Sequence, residues 1–229
     1  IPDNGEIWHM LDQRFGIPPT LIEFTTLHSH DLSAYNVIIL ANGSPTEPLS
    51  PQALPKLKEW VENGGTLITT GSAYKLTNKA KITDFKTLSQ GKKKDKAEGN
   101  AHIEYQPYHN TAKSKSGIEG VIFNCHLDIT SPLGYGYENP NVAIMKNGTT
   151  VMDFSQIKGS SPMQYTKQPY LSGCVSLENI KRISNAPASI VSGCGIGNVI
   201  WFADDLNYRS YWFGGTKIFM NAIYFGQLY

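Results

Sequence analysis

Two patterns of hydrophobic and polar positions share this chain, and the clearer one organises residues 36–73. Asn36-Val-Ile-Ile-Leu-Ala41 is an unbroken apolar run, as expected of a strand covered on both faces. Asn42-Gly-Ser-Pro interrupts it. Ser50 then offers an N-cap, with Pro51 at the first helical position, where a missing N–H costs nothing. Leu54, Leu57, Trp60 and Val61 follow at helical spacing, with Lys56, Lys58, Glu59 and Glu62 mostly opposite. Gly64-Gly65 stops this helix, and Thr66-Leu-Ile-Thr-Thr70 begins a second strand that ends in Gly71-Ser72-Ala73. Strand, helix and strand at this length predict a right-handed βαβ crossover in a parallel sheet. Such sheets bind and react at the carboxyl ends of their strands. Here those ends are Asn42-Gly-Ser and Gly71-Ser72-Ala73.

Upstream, Ile7, Met10, Leu11 and Phe15 share one helical face, and Gly16 stands where a C-terminal glycine belongs. Thr20-Leu-Ile-Glu-Phe24 reads as a short strand. A domain built of crossovers opens with a strand, so the first one is expected ahead of Ile1. Downstream, residues 77–118 form a polar, lysine-rich excursion around Lys92-Lys93-Lys94, read as solvated.

The second pattern, over residues 119–170, is that of a β-rich insertion. Gly120-Val-Ile-Phe-Asn-Cys-His-Leu-Asp128 alternates, and Val142-Ala-Ile-Met145 and Thr150-Val-Met-Asp-Phe154 flank an Asn147-Gly148 hairpin signal. Residues 163–171 read as irregular, and Ser176 caps a short helix. The end of the chain returns to α/β texture. Pro187-Ala-Ser-Ile-Val191 and Asn198-Val-Ile-Trp-Phe-Ala203 suit a hairpin, followed by an Asp204-Asp-Leu-Asn-Tyr-Arg209 loop and a final helix over 212–225.

Composition adds limits. A chain of 229 residues suffices for one large domain. No apolar run approaches the roughly 20 residues of a membrane span. A net charge of +1 gives no pull toward nucleic acid. The opening Ile1-Pro-Asp-Asn-Gly carries neither an initiator Met nor a signal peptide, as in a piece or processed form of something longer. Cys125, Cys174 and Cys194 have no Cys-x-x-Cys spacing, which excludes a zinc ribbon and favours three buried thiols over a Cys174–Cys194 bridge.

Four stretches carry a family resemblance: Gly5-Glu-Ile-Trp-His-Met-Leu-Asp12; Leu57-Lys-Glu-Trp-Val-Glu-Asn-Gly-Gly-Thr-Leu-Ile68; Ser131-Pro-Leu-Gly-Tyr-Gly-Tyr137; and Gly197-Asn-Val-Ile-Trp-Phe-Ala-Asp-Asp205 with Gly215-Thr-Lys-Ile-Phe-Met-Asn-Ala222. Together they resemble the class I glutamine amidotransferase-like superfamily, with its flavodoxin-like parallel sheet and flanking helices. Within it, they are similar to the domain that follows the catalytic domain of some bacterial zinc carboxypeptidases. The resemblance implies a single domain over 1–229, a carboxypeptidase catalytic domain as partner on the same chain, and a periplasmic or secreted location. It also implies a strand ahead of the helix at Gly5.

The catalytic members of that superfamily use a cysteine on the turn after the strand at 66–70, served by a His-Glu pair after a late strand. Here the turn is Thr70-Gly-Ser-Ala-Tyr74, without cysteine. Ser72 is the nearby nucleophile, with a structural N-cap as its alternative role. The six histidines all lie at or before His126, and Ala203-Asp-Asp stands where the His-Glu pair would fall. No His-x-x-Glu zinc motif occurs, and His28-Ser-His-Asp31, His102-Ile-Glu and His126-Leu-Asp are weak metal candidates. Neither metal nor cofactor is expected. Asn42, Ser72, Asp204, Asp205 and Arg209 are the ligand-binding candidates, Arg209 as a carboxylate clamp or as the partner of Asp204 or Asp205. Tyr135, Tyr137, Tyr211 and Trp212 suit either a sugar-binding groove or sheet packing. The expectation is a non-catalytic accessory domain. A Ser72 amidohydrolase and a carbohydrate- or peptide-binding module are the alternatives.

Overall fold

Alternation inside apolar runs decides the layers of this protein. The structure, a computed structural model, describes residues 2–43, 50–88, 117–153 and 159–229. Strands β1 (Val37–Leu40) and β2 (Thr66–Thr70) flank helix α2 (Ala53–Glu62), and β1 pairs β2 in parallel. On β2, Leu67 enters one hydrophobic cluster and Ile68 the other, because successive side chains leave a strand on opposite faces. Leu57 and Val61 of α2 close the Leu67 side. The opposite side is closed by α1 (Pro2–Trp8, continued as a π-helix over His9–Arg14) through Ile7, Met10 and Leu11. Gly16 ends that helix in the left-handed region, as the sequence predicts.

After β2 come α3 (Tyr74–Lys79) and the short β3 (Lys86–Thr87). The β-rich part supplies β4 (Val121–Leu127), β5 (Asn141–Lys146), β6 (Met152–Asp153) and β7 (Met163–Ser172). Helix α4 (Leu177–Ile183) is capped by the Ser176 side chain, which accepts from the Asn179 N–H. The hairpin β8 (Ser189–Cys194) and β9 (Gly197–Phe202) precedes α5 (Thr216–Phe225). The central sheet has the order β1-β2-β9-β8, with β1, β2 and β9 parallel. A second sheet, β5-β4-β7, joins it where Ser160 bridges Val191 and Gln164 bridges Pro187. No described helix is long and apolar enough to cross a membrane.

Several expectations are corrected. Residues 20–23 form no strand, and a 3₁₀ turn starts at Phe24. Asn147-Gly148 makes no hairpin: β5 pairs with β4, β6 with β3, and the Gly148 N–H donates to Ile118 O. Residues 163–171, expected to be irregular, belong to the ten-residue β7. Its Pro169 falls where the register against β4 slips between Tyr165 and Tyr170, a bulge that needs no N–H from proline. The final helix starts at Thr216 rather than 212. All three described thiols are free, and Cys125 alone is buried; Cys174 is exposed. The Lys92-Lys93-Lys94 cluster and His102 lie outside the described residues.

Candidate functional site

The carboxyl ends of β1 and β2 are tied to each other by Asn42. Its N–H donates to Thr70 Oγ1 at 2.8 Å. Its Oδ1 accepts from both the Ser72 N–H and the Ser72 hydroxyl, each at 2.8 Å. Strand β2 turns into α3 through a 3₁₀ turn, Gly71–Ala73. The left-handed residue of this turn is Gly71, with φ +52°, and a Cβ there would lie 2.4 Å from Asn42 Oδ1. Position 71 therefore has to be glycine, and the most strained point of the elbow bears no side chain. Trp201 fixes the turn from below by donating Nε1–H to Gly71 O at 2.9 Å, between the rings of Tyr74 and Phe85.

Ser72 is thus not an N-cap, since α3 begins without a side-chain cap. Its hydroxyl proton is directed at an amide oxygen, and no histidine among the described residues bonds to it. A serine needs a base to become an alkoxide; an amide oxygen holds the proton without removing it. Beside this elbow lies a cleft of about 270 Å³, lined by Ser72, Tyr74, Lys75, Thr87, Thr149 and Thr150 among others. Hydroxyls and one ammonium dominate the lining.

The aspartates after β9 have separate fates. Asp204 is buried and pairs with Lys146 at the end of β5, Nζ to Oδ1 at 2.7 Å, with the two side chains 0% and 2% exposed. Lys146 also donates to Thr150 O at 2.7 Å, and the Tyr165 hydroxyl donates to Asp204 Oδ2. The network therefore runs from the core of the second sheet to the wall of the cleft. Burial, then the Asp204 charge, push the phenol of Tyr165 and the neighbouring Cys125 thiol well above their ordinary values. Asp205 accepts from the Asn207 N–H. Arg209 pairs with neither aspartate: its guanidinium lies exposed over the Tyr208 ring, 5.3 Å from the centroid, on a left-handed backbone with φ 48°.

The structure therefore brings Asn42 and Ser72 together and places Asp204 in the core, with Asp205 and Arg209 on the loop that follows β9. Lys146, Tyr165, Tyr74 and Lys75 were not singled out in the sequence. The lone lysine closing the apolar run Val142-Ala-Ile-Met-Lys146 was the available sign. Among the described residues, no group of three or more His, Cys, Asp or Glu side chains is disposed to hold a metal.

No family model matches the chain, and no curated protein matches it. Solved structures do. A ThuA-like protein from Parabacteroides merdae is similar with a TM-score of 0.60, over 98% of this chain and 84% of that one, at 12% identity. A GMP synthase-type protein from Thermoplasma acidophilum gives 0.54 over 96% and 86%, at 8% identity. An exo-β-1,4-mannosidase from an Opitutaceae bacterium gives 0.50 over 97% of this chain but only 31% of its own, at 11% identity. At these identities the likeness concerns the fold, and the fold is the glutamine amidotransferase-like α/β type.

Proposed function

We propose that this is a non-catalytic amidotransferase-like domain that serves as an accessory or interaction module of a larger protein. One observation carries the proposal: the elbow where a nucleophile would stand has glycine at its strained position and a Ser72 hydroxyl donated to Asn42 Oδ1. The mannosidase, in which this fold matches under a third of the chain, supports a modular role by fold alone. A zinc carboxypeptidase as the parent protein rests on the four resembling stretches only. The test is labelling with a fluorophosphonate probe. The expected result is no adduct on Ser72, and an adduct lost in Ser72→Ala would establish the hydrolase instead.

The cleft favours a second reading, a binding module for a small polyhydroxylated or peptidic ligand. Its hydroxyls and the Lys75 ammonium offer donors and acceptors around a space that fits one sugar ring or dipeptide. A thermal-shift panel of mono- and disaccharides and dipeptides checks it. A stabilising compound whose effect disappears in Lys75→Ala supports binding there, and a flat panel sinks it.

A further inference from the structure

Helix α5 carries two faces, and the core covers one of them. Ile218, Phe219 and Ala222 are buried in the core. Lys217, Met220 and Tyr224 recur at three- and four-residue spacing and so line a second face of the helix. Phe15 and Ile17, just past the α1 segment, and Phe213, in the loop after β9, join that face in lining a groove of about 560 Å³. This volume lies within the range of about 300–1,000 Å³ found for small-molecule pockets. The rings are open to solvent: Phe213 is 67% exposed, Tyr224 54% and Phe15 43%. Exposed apolar side chains scattered singly need no explanation, but a group gathered in one groove marks a binding surface.

The groove is positively charged. Lys217 lines it, and Arg14 flanks it with Cζ 4.3 Å from the centre of the Phe213 ring. None of the lining side chains is acidic, and Asp12, two residues before Arg14, accepts from Gln13 Nε2. Lys217 Nζ donates to Gly136 O and sits 4.8 Å from the centre of the Tyr137 ring, which leaves further N–H donors on the ammonium. Arg14 Nη2 donates to Ser210 O, whereas Nη1 is withdrawn from water and has no partner among the described residues. Among those residues no carboxylate forms an ion pair with Arg14, although Glu6 O accepts from the Ser210 hydroxyl beside it. A buried guanidinium donor without an acceptor costs free energy, and a carboxylate oxygen is the acceptor that matches its charge.

We propose that this groove binds a small organic acid with an apolar body. Arg14 takes the carboxylate, and Lys217 adds charge of the same sign. The apolar body lies on Phe213, Met220 and Tyr224. The site is separate from the elbow and does not depend on the reading given for it.

Methyl NMR tests this, with the half-buried Met220 as reporter and phenylpropionate and its neutral amide as probes. The acid is expected to shift the Met220 methyl saturably and to bind about tenfold more tightly than the amide. Arg14→Gln should bring the acid down to the level of the amide, and Phe213→Ser should weaken both. Equal affinity for acid and amide overturns the proposal, as does the lack of a saturable Met220 shift, and neither result requires a variant to fold. A preference for the acid that survives Arg14→Gln removes Arg14 from the site and overturns it as well. Binding to phosphatidylglycerol vesicles, with no Met220 shift from the free acid, assigns the exposed rings to a membrane surface and overturns it too.

Discussion

Lys146 and Asp204, 58 residues apart, form an ion pair at 2.7 Å with both side chains withdrawn from water. A buried pair of this kind persists when its remaining hydrogen-bonding capacity is met. Thr150 O and the Tyr165 hydroxyl meet it here. The pair pins the second sheet to the carboxyl end of β9, beside the elbow.

Breaking one side of the pair leaves a charge stranded in the core. Lys146→Met is expected to cost about 3–5 kcal/mol, whereas Lys146→Met combined with Asp204→Leu should cost much less than the sum of the single changes. Urea denaturation of the three variants measures the coupling. Additive losses would mean that the two residues act independently.

At the elbow, Gly71→Ala meets two obstacles, a left-handed backbone and Asn42 Oδ1. Its cost is expected at roughly 1–3 kcal/mol, falling in an Asn42→Ala background because the contacts with Asn42 Oδ1 and Cγ are removed, while the Asn42 Cβ at 2.9 Å and the left-handed backbone keep part of it. Thermal denaturation of the single and double variants reads this directly. A Gly71→Ala change with no cost in either background would show that the turn is not held as described.

Cys125 makes stability depend on alkaline pH. Its thiol is raised chiefly by burial and next by the Asp204 charge, with Lys146 acting in the opposite sense. The folded state therefore keeps a proton that the unfolded chain releases above about pH 8.5. Between those two values the unfolded state binds fewer protons, so stability is intact below about pH 8.5 and falls as pH rises beyond it. The loss is expected to grow between about pH 8.5 and about pH 9.5 and to shrink in Cys125→Ala, with the partly buried Cys194 thiol, also raised by burial, leaving a smaller loss of the same sign. Urea midpoints from about pH 7 to about pH 9.5 check it.

Arg209 sits exposed on a left-handed backbone, without an ion pair to Asp204 or Asp205. Arg209→Gly should accordingly be neutral or stabilising by up to about 1 kcal/mol, because glycine enters that region without Cβ strain. A loss above about 1 kcal/mol in a thermal melt would show that the side chain anchors the loop.

Segments with a strong local period were legible from their own residues. The helix burying Leu57 and Val61, the Ser176 cap and the β8–β9 hairpin needed no distant partner to be recognised. Strand β7 was hidden because Pro169 resembles a breaker until a bulge is found to absorb it. Residues 20–23 have strand composition, but a strand exists only when a neighbour satisfies its backbone.

The sequence by itself determined the parallel strand–helix–strand unit, its carboxyl-end elbow and the absence of cysteine there. These follow from periodicity and residue type along a continuous segment. Only the tertiary structure decided that Gly71 occupies the strained position, that Asn42 accepts the Ser72 hydroxyl, and that Asp204 belongs to Lys146 rather than to Arg209. The physical reason is the same for all three. Each is a choice of partner between separate chain segments, set by the way α3 leaves β2 and the second sheet meets β9, and no local pattern encodes which of several donors reaches a given oxygen.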